Sequence, residues 1–282
     1  MLETRHHWLP VAMAIYLPVS CFITYSIAVG NGNVEPGFPY ISDTGTIPPE
    51  SCVFGQLMNI GAVLGGIIIY IRYRHIQLHC EQTPGTQGMI RLNTAAYVIG
   101  ILTVFGVSVV GNFQETNVIV VHLLGATLAF VVGFVYFVLQ TIISFKVAAL
   151  DFKIPGNTVN TRRVRVLLIV LDFIFLLLTG IFAQLSRSKG PGQGIPSRKW
   201  SEDNPGYSEH LVATISEWLV AFVSVIYFST FYPEFKHFRV RPPKVEYYPD
   251  TTGNVMPTST EQIPARPDRQ TKYQTFTETN YV

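Results

Sequence analysis

Apolar residues in this chain fall into six long blocks, at 8–29, 52–71, 92–110, 118–144, 164–185 and 211–232, parted by polar segments. Each block reaches the roughly 20 mostly apolar residues that a helix needs to cross a bilayer. One such block alone fits a buried helix of a soluble protein. Six in 282 residues do not, and the composition agrees: 13% of the residues are charged, against about 25% in soluble domains. The pattern predicts an all-α, polytopic six-helix transmembrane bundle over residues 1–238. The first block follows Arg5 and precedes small residues, as a cleaved signal does. Its apolar core is longer than such signals carry, so it reads as a retained helix.

Residues 239–282 break the pattern. From Pro242 onward the chain is rich in Pro, Thr, Gln and charge and poor in aliphatics. Such a segment has too little to bury and is expected to be a disordered cytosolic tail. Lys and Arg assign the sides of the membrane. Residues 30–51 and 111–117 carry neither, whereas Arg72, Arg74, Arg91, Lys146, Lys153, Arg162, Arg163 and Arg165 flank the second and fourth connections, and more lie in the tail. The positive-inside rule then puts both termini in the cytosol. The fifth connection dissents, with Arg187, Lys189, Arg198 and Lys199.

Ionisable residues within such blocks are rare and face the bundle interior. The notable ones here are Glu217, His122 and Asp172. At 1.5 Å per residue, Glu217 lies roughly 9 Å below the outer surface and His122 roughly 6 Å. Asn112, Gln114, Gln56 and Asn59 fall at a similar level. The expectation is an outer-leaflet polar cluster of Glu217, His122, Asn112, Gln114, Gln56 and Asn59, with Asp43 in the loop above. It serves as glue between helices, as a ligand or lipid-headgroup site, or as a catalytic centre. Asp172, about 12 Å deep from the cytosolic side, has no evident charged partner. Gly61 and Gly65, and Gly125 and Ala129, have the spacing of close helix packing. Pro48 and Pro49 are placed to open the second helix, with Glu50 in its first turn, where an anion is favoured. Cys21 and Cys52 both fall toward the outer half, so a disulfide and free thiols both stay open.

Several motifs suggest chemistry that the rest of the chain does not support. "DTG" at residues 43–45 matches the aspartic-protease triplet, but such enzymes need two carboxylates sharing a site. His122, His210, Glu217 and Asp43 offer zinc-type ligands, without any metal-binding run. The helix centres lack the charges of a transport path. No cofactor, metal or nucleic-acid partner is implied. In the tail, "YQTF" places Tyr273 three residues before Phe276, a pattern that a sorting adaptor captures as an extended peptide.

Five stretches together resemble the DRAM family, the damage-regulated autophagy modulators: "PYISDTGTIPPESCVFGQLMNIGAVLGG", "IRYRHIQ", "IGILTVFGVSVVGNFQ", "VHLLGATLAFVVGFVYFVLQTIISFK" and "EWLVAFVSVIYFSTFYPEF". The third, with the residues before it, looks most like the second member of that family. The resemblance implies a six-span lysosomal membrane protein that promotes autophagy, is linked to cell death and has no established enzymatic step. It assigns no roles to the shared Asp43, Pro49, Glu50, Asn112, Gln114, His122, Glu217 and Trp218. The expected partners are membrane lipids and a tail-binding adaptor. Wider relatives imply the alternatives: a plasma-membrane or Golgi protein of lipid organisation or transport, or a membrane-embedded lipid hydrolase.

Overall fold

In a computed structural model the described residues are 5–150, 153–190 and 197–240. The tail from 241 onward, with Tyr273 and Phe276, lies outside them. Each apolar block is helical. The helices are α1 (Leu9–Gly30), α2 (Glu50–Glu81), α3 (Gln87–Asn112), α4 (Ile119–Ala126), α5 (Gly133–Ala148), α6 (Val159–Lys189), α7 (Tyr207–Ser229) and the single turn α8 (Tyr232–Phe235). A π-helical stretch over Thr127–Val132 joins α4 to α5, so the fourth span is one composite rod. Six spans are long and apolar enough to cross a membrane, and the protein is a multi-pass membrane protein.

The helix starts follow from local chemistry. Pro10 stands in the first turn of α1, and Pro49 caps α2 with Glu50 behind it. Proline is at home there because early helical positions have no N–H bond to lose. Thr158 caps α6, its Oγ1 accepting from the Thr161 N–H at 3.1 Å. At 32 and 31 residues, α2 and α6 are roughly 45–50 Å long and overrun a hydrocarbon core of about 30 Å. The overrun changes the reading of two arginines. Arg72 and Arg165, expected in polar flanks of connections, sit inside the helical bundle with no exposure.

The spans form a ring in chain order. α1 packs on α2, α2 on α3, α3 on the composite fourth span, α5 on α6, α6 on α7, and α7 closes back on α1. One end of the ring, here the loop end, carries the connections 31–49 and 113–118 and the described residues 197–206. The other, the α8 end, holds α8, where His6 stacks against Phe235 and Phe238. Outward faces are apolar, with Val63, Phe105 and Val120 each more than half exposed. In water this would be a liability; in lipid it is the expected surface. Association then depends on close packing of helices more than on apolar burial. Gly106 illustrates it: a Cβ there would lie 2.5 Å from Leu128 Cβ, 2.6 Å from Ala129 N and 2.7 Å from Gly125 O. So α3 meets the fourth span backbone to backbone, with Gly125 of the expected packing pair on the partner side.

The 31–49 connection folds down onto the loop end. The Trp218 Nε1–H donates to Pro39 O at 2.9 Å. Asn31 and Asn33 both donate to the Glu50 carboxylate, at 3.3 and 2.7 Å. Cys21, Cys52 and Cys80 are all free thiols, Cys21 buried and Cys52 exposed, which closes the question of their pairing.

Candidate functional site

Toward the loop end the ring encloses a cavity of about 250 Å³. Every span contributes wall: Met13, Met58, Val104, His122, Thr179 and Glu217 come from the first to the sixth in turn. The wall is divided. Polar groups gather at one end, where Glu217, Glu115, His122, Arg187, Tyr40 and Ser42 meet. Below them it is mostly apolar, interrupted by Thr103, Thr179 and Ser224, down to Phe137 and Phe228. Glu217 and Phe228 are eleven residues apart on α7, which corresponds to about 16 Å of helix. That is about half the thickness of a bilayer's hydrocarbon core, so the cavity is one leaflet deep. The π-helical stretch contributes Ala129 and Phe130 to it, in keeping with the frequent use of such bulges at functional sites. At the α8 end α5 packs directly on α6. At the loop end Leu123 of α4 and Thr179 and Ala183 of α6 line the cavity from either side instead. Leu123 is also 44% exposed on the outside, so this is the side on which the cavity lies nearest to lipid.

The polar groups are held from different directions. Glu217 is buried on α7, with the Ile41 backbone hydrogen-bonded to its carboxyl. Ser42 Oγ donates to Glu115 Oε2 at 3.1 Å. His122 Nδ1 lies 2.7 Å from Phe113 O, and only a protonated Nδ1 can donate to a carbonyl. Its Nε2 lies 4.0 Å from Glu115 Oε2. Burial, reinforced by the neighbouring Glu217, pushes the Tyr40 hydroxyl well above its ordinary pKa, so it stays a neutral donor.

The expected cluster is therefore split. Glu217 and His122 share the cavity. Asn59 and Asn112 pair with one another instead: Asn112 Nδ2 donates to Asn59 Oδ1 at 2.9 Å, and Ser108 Oγ donates to the same oxygen at 2.7 Å. This is a seam between α2 and α3 whose Asn112 end is exposed. Gln56 is exposed and Gln114 half-buried, and neither belongs to the cavity wall. Asp43 is buried in the 3-10 turn Ser42–Gly45 above it. His210 packs between the rings of Tyr40 and Trp200. Among the described residues no three His, Cys, Asp or Glu side chains stand together as a metal site. Asp172 accepts from Ser224 Oγ at 3.3 Å, a partner the sequence did not disclose.

Sequence reasoning missed a second polar centre at the α8 end. Glu234 lies between two arginines: Arg72 Nη1 donates to its Oε2, and Arg165 Nη2 reaches Oε1 at 2.7 Å. Arg72 Nε donates to Gln140 Oε1 at 3.1 Å, and Arg165 Nε to Thr230 Oγ1 at 2.9 Å. Both guanidinium groups stand over the Phe231 ring, at 5.0 and 4.9 Å from its centroid. All three charged side chains have no exposure. The available signal was the acid in "FYPEF", a lone charge among aromatics.

Comparisons with known proteins bear on what this arrangement is. The family model described as Frag1/DRAM/Sfk1/Cwh43P N-terminal domain matches residues 5–238. DNA damage-regulated autophagy modulator protein 2 of Mus musculus is 37% identical over 235 residues, covering 83% of this chain and 85% of the relative. DNA damage-regulated autophagy modulator protein 1 of Homo sapiens is 35% identical over 234 residues, covering 83% and 92%. Modulator of macroautophagy TMEM150B of Xenopus tropicalis is 33% identical over 232 residues, covering 81% and 86%. No solved structure matches. The matched span contains all six helices, the cavity and the buried arginine–glutamate centre, and on that match the chain belongs to the Frag1/DRAM/Sfk1/Cwh43P family.

Proposed function

We propose that this chain promotes autophagy as a non-enzymatic, six-span regulator of the lysosomal membrane, with both ends cytosolic, and that it acts through a lipid held in the loop-end cavity. The relatives are named as autophagy modulators, and none of these names denotes an enzyme. Basic residues support the orientation: Arg74, Arg91, Lys146, Lys153 and Lys236 belong to the α8 end. The dissenting Lys189 and Lys199 are each drawn to an acid, Glu209 and Glu35.

The observation that carries the reading is the cavity, with ionisable groups at one end, a mostly apolar wall for one leaflet below them, and a lipid-facing residue on its border. Pockets of that kind are the usual seats of small amphiphilic ligands. The test is an autophagic-flux assay in cells lacking the endogenous protein, comparing the wild type with Val104→Trp, which fills the cavity. Val104→Trp that reaches lysosomes normally should restore little flux; full restoration would remove the cavity from the mechanism. Loss of lysosomal signal on Tyr273→Ala would support adaptor-dependent sorting, and an unchanged location would end that proposal. The rival reading, lipid movement or turnover, is favoured by the same lipid-bordered wall. Transfer or hydrolysis of labelled lipid by the purified protein in nanodiscs would establish it against the regulator.

A further inference from the structure

A second cavity, of about 190 Å³, lies at the α8 end between the close of α5 and the start of α6, with Lys153, Asn157, Thr158 and Arg162 in its wall. We infer that it seats the phosphomonoester headgroup of an anionic lipid. This is a separate site and does not rest on the reading of the loop-end cavity. Depth is the first argument. The apolar block of α6 begins at residue 164, and Arg162 and Thr158 precede it by two and six residues. That is roughly 3 and 9 Å along the axis, and headgroups occupy about 5–8 Å on each side of the hydrocarbon core. The cavity also borders lipid. Val159, in its wall, is half-exposed, and the Arg162 guanidinium stands 5.6 Å from the ring centroid of the half-exposed Phe145.

Charge is the second argument. Lysine and arginine are cations at neutral pH. Neither Lys153 nor Arg162 forms an ion pair among the described residues, and the wall holds no acid among them. The acid of this connection, Asp151, lies outside the described residues. A phosphomonoester carries about −1.5 to −2 charge near pH 7, which matches two cations better than a zwitterionic headgroup does. Charge-assisted bonds from arginine to phosphate are among the strong ones. The third argument is that the wall is held in place. Arg162 Nη1 donates to Asn157 O at 2.8 Å, and Asn157 Nδ2 donates to Ser144 O at 2.8 Å. One of the five guanidinium N–H donors is thus spent on fixing the group. Gly156, at φ +86°, seats the connection on α8: a Cβ there would lie 2.4 Å from Pro233 O. With both ends cytosolic, as proposed above, the lipid belongs to the cytosolic leaflet.

The full chain in detergent, titrated with phosphatidic acid, phosphatidylserine and phosphatidylcholine of the same acyl chains and read by native mass spectrometry, tests this. Phosphatidic acid should bind about tenfold more tightly than phosphatidylcholine, with phosphatidylserine between them. Lys153→Gln, at an exposed position, should weaken phosphatidic acid about fivefold, the scale of one basic side chain beside anionic lipid. Adding Arg162→Gln should remove the preference. Lys146→Gln with Arg163→Gln takes away as much charge from exposed positions outside the cavity wall and should leave the preference intact. Equal loss in the two double variants would reduce the effect to general attraction and overturn the site, as would equal binding of the three lipids. Displacement of phosphatidic acid by inorganic phosphate at the lipid's own concentration would make this a site for a soluble anion and overturn the lipid.

Discussion

The two polar centres of this bundle are built to opposite plans. At the α8 end, Glu234 is gripped by Arg72 and Arg165, and a phenylalanine face covers both guanidiniums. The centre joins α2, α5, α6 and α8. At the loop end, Glu217, Glu115 and His122 line a cavity and are held by backbone groups and a hydroxyl. Both centres are buried polar groups in a membrane protein, so burial alone does not separate structure from function. What separates them is what the buried acid faces: Glu234 lies between two guanidiniums, whereas Glu217 borders a cavity. The first centre serves as a clamp; the second places its polar groups in the wall of a cavity.

The comparison is broken most severely at the clamp. Glu234→Ala leaves two buried guanidiniums without a counter-charge, and losing one partner of a buried pair costs about 3–5 kcal/mol. The variant should show a large drop in thermal unfolding temperature in detergent, with a poor folded yield. Replacing Arg72, Glu234 and Arg165 together by apolar residues of similar volume should recover most of the loss, as happens when a whole buried ion cluster is removed. A Glu234→Ala protein as stable as the wild type would show that the clamp contributes nothing to holding the ring.

A smaller effect is expected where α3 meets the fourth span. Gly106→Val drives its side chain into Leu128 and the Ala129 backbone, and overpacking of this kind costs about 1–3 kcal/mol. Its unfolding temperature should fall by less than that of Glu234→Ala. Smaller again is Trp218→Phe, which removes one hydrogen bond to Pro39 O, worth about 1 kcal/mol. Because that bond pins the connection over the cavity, protease cleavage within 31–49 should also accelerate. An unchanged cleavage rate would mean that the connection is held without it.

The sequence disclosed depth and concealed azimuth. A helix rises by a fixed amount per residue, so Glu217, His122, Asn59 and Asn112 could be set at one level from their distance to the block ends. Which of them face each other depends on the rotation of each helix, and that is fixed by packing such as the Gly106–Gly125 contact. Hence Glu217 and His122 meet at the cavity while Asn59 and Asn112 turn to a separate seam. Glu115, Arg187 and Tyr40 escaped notice because they belong to loops or helix ends, where charge is ordinary. The clamp escaped for a related reason. Arg72 and Arg165 stand where apolar blocks give way to polar flanks, and Glu234 is 162 residues from Arg72. The six spans were plain because their signal, long runs of apolar residues, is local.

The smallest effect on stability sharpens the comparison furthest. Glu217→Gln keeps an acceptor oxygen for the Ile41 backbone and changes a buried carboxyl that forms no ion pair among the described residues. With the cavity empty, the unfolding temperature should stay within the range of about 0.5 kcal/mol expected of substitutions away from structural features, or rise. The same substitution at the clamp, Glu234→Gln, keeps the shape but strips the counter-charge from two arginines, so its unfolding temperature should fall. Two isosteric changes of buried glutamates would then move stability in different directions within one protein. Thermal unfolding of both variants, each measured without added amphiphile, decides it. Equal losses would mean that Glu217 is held as firmly as Glu234, and that the loop-end carboxylates serve the fold and not a ligand.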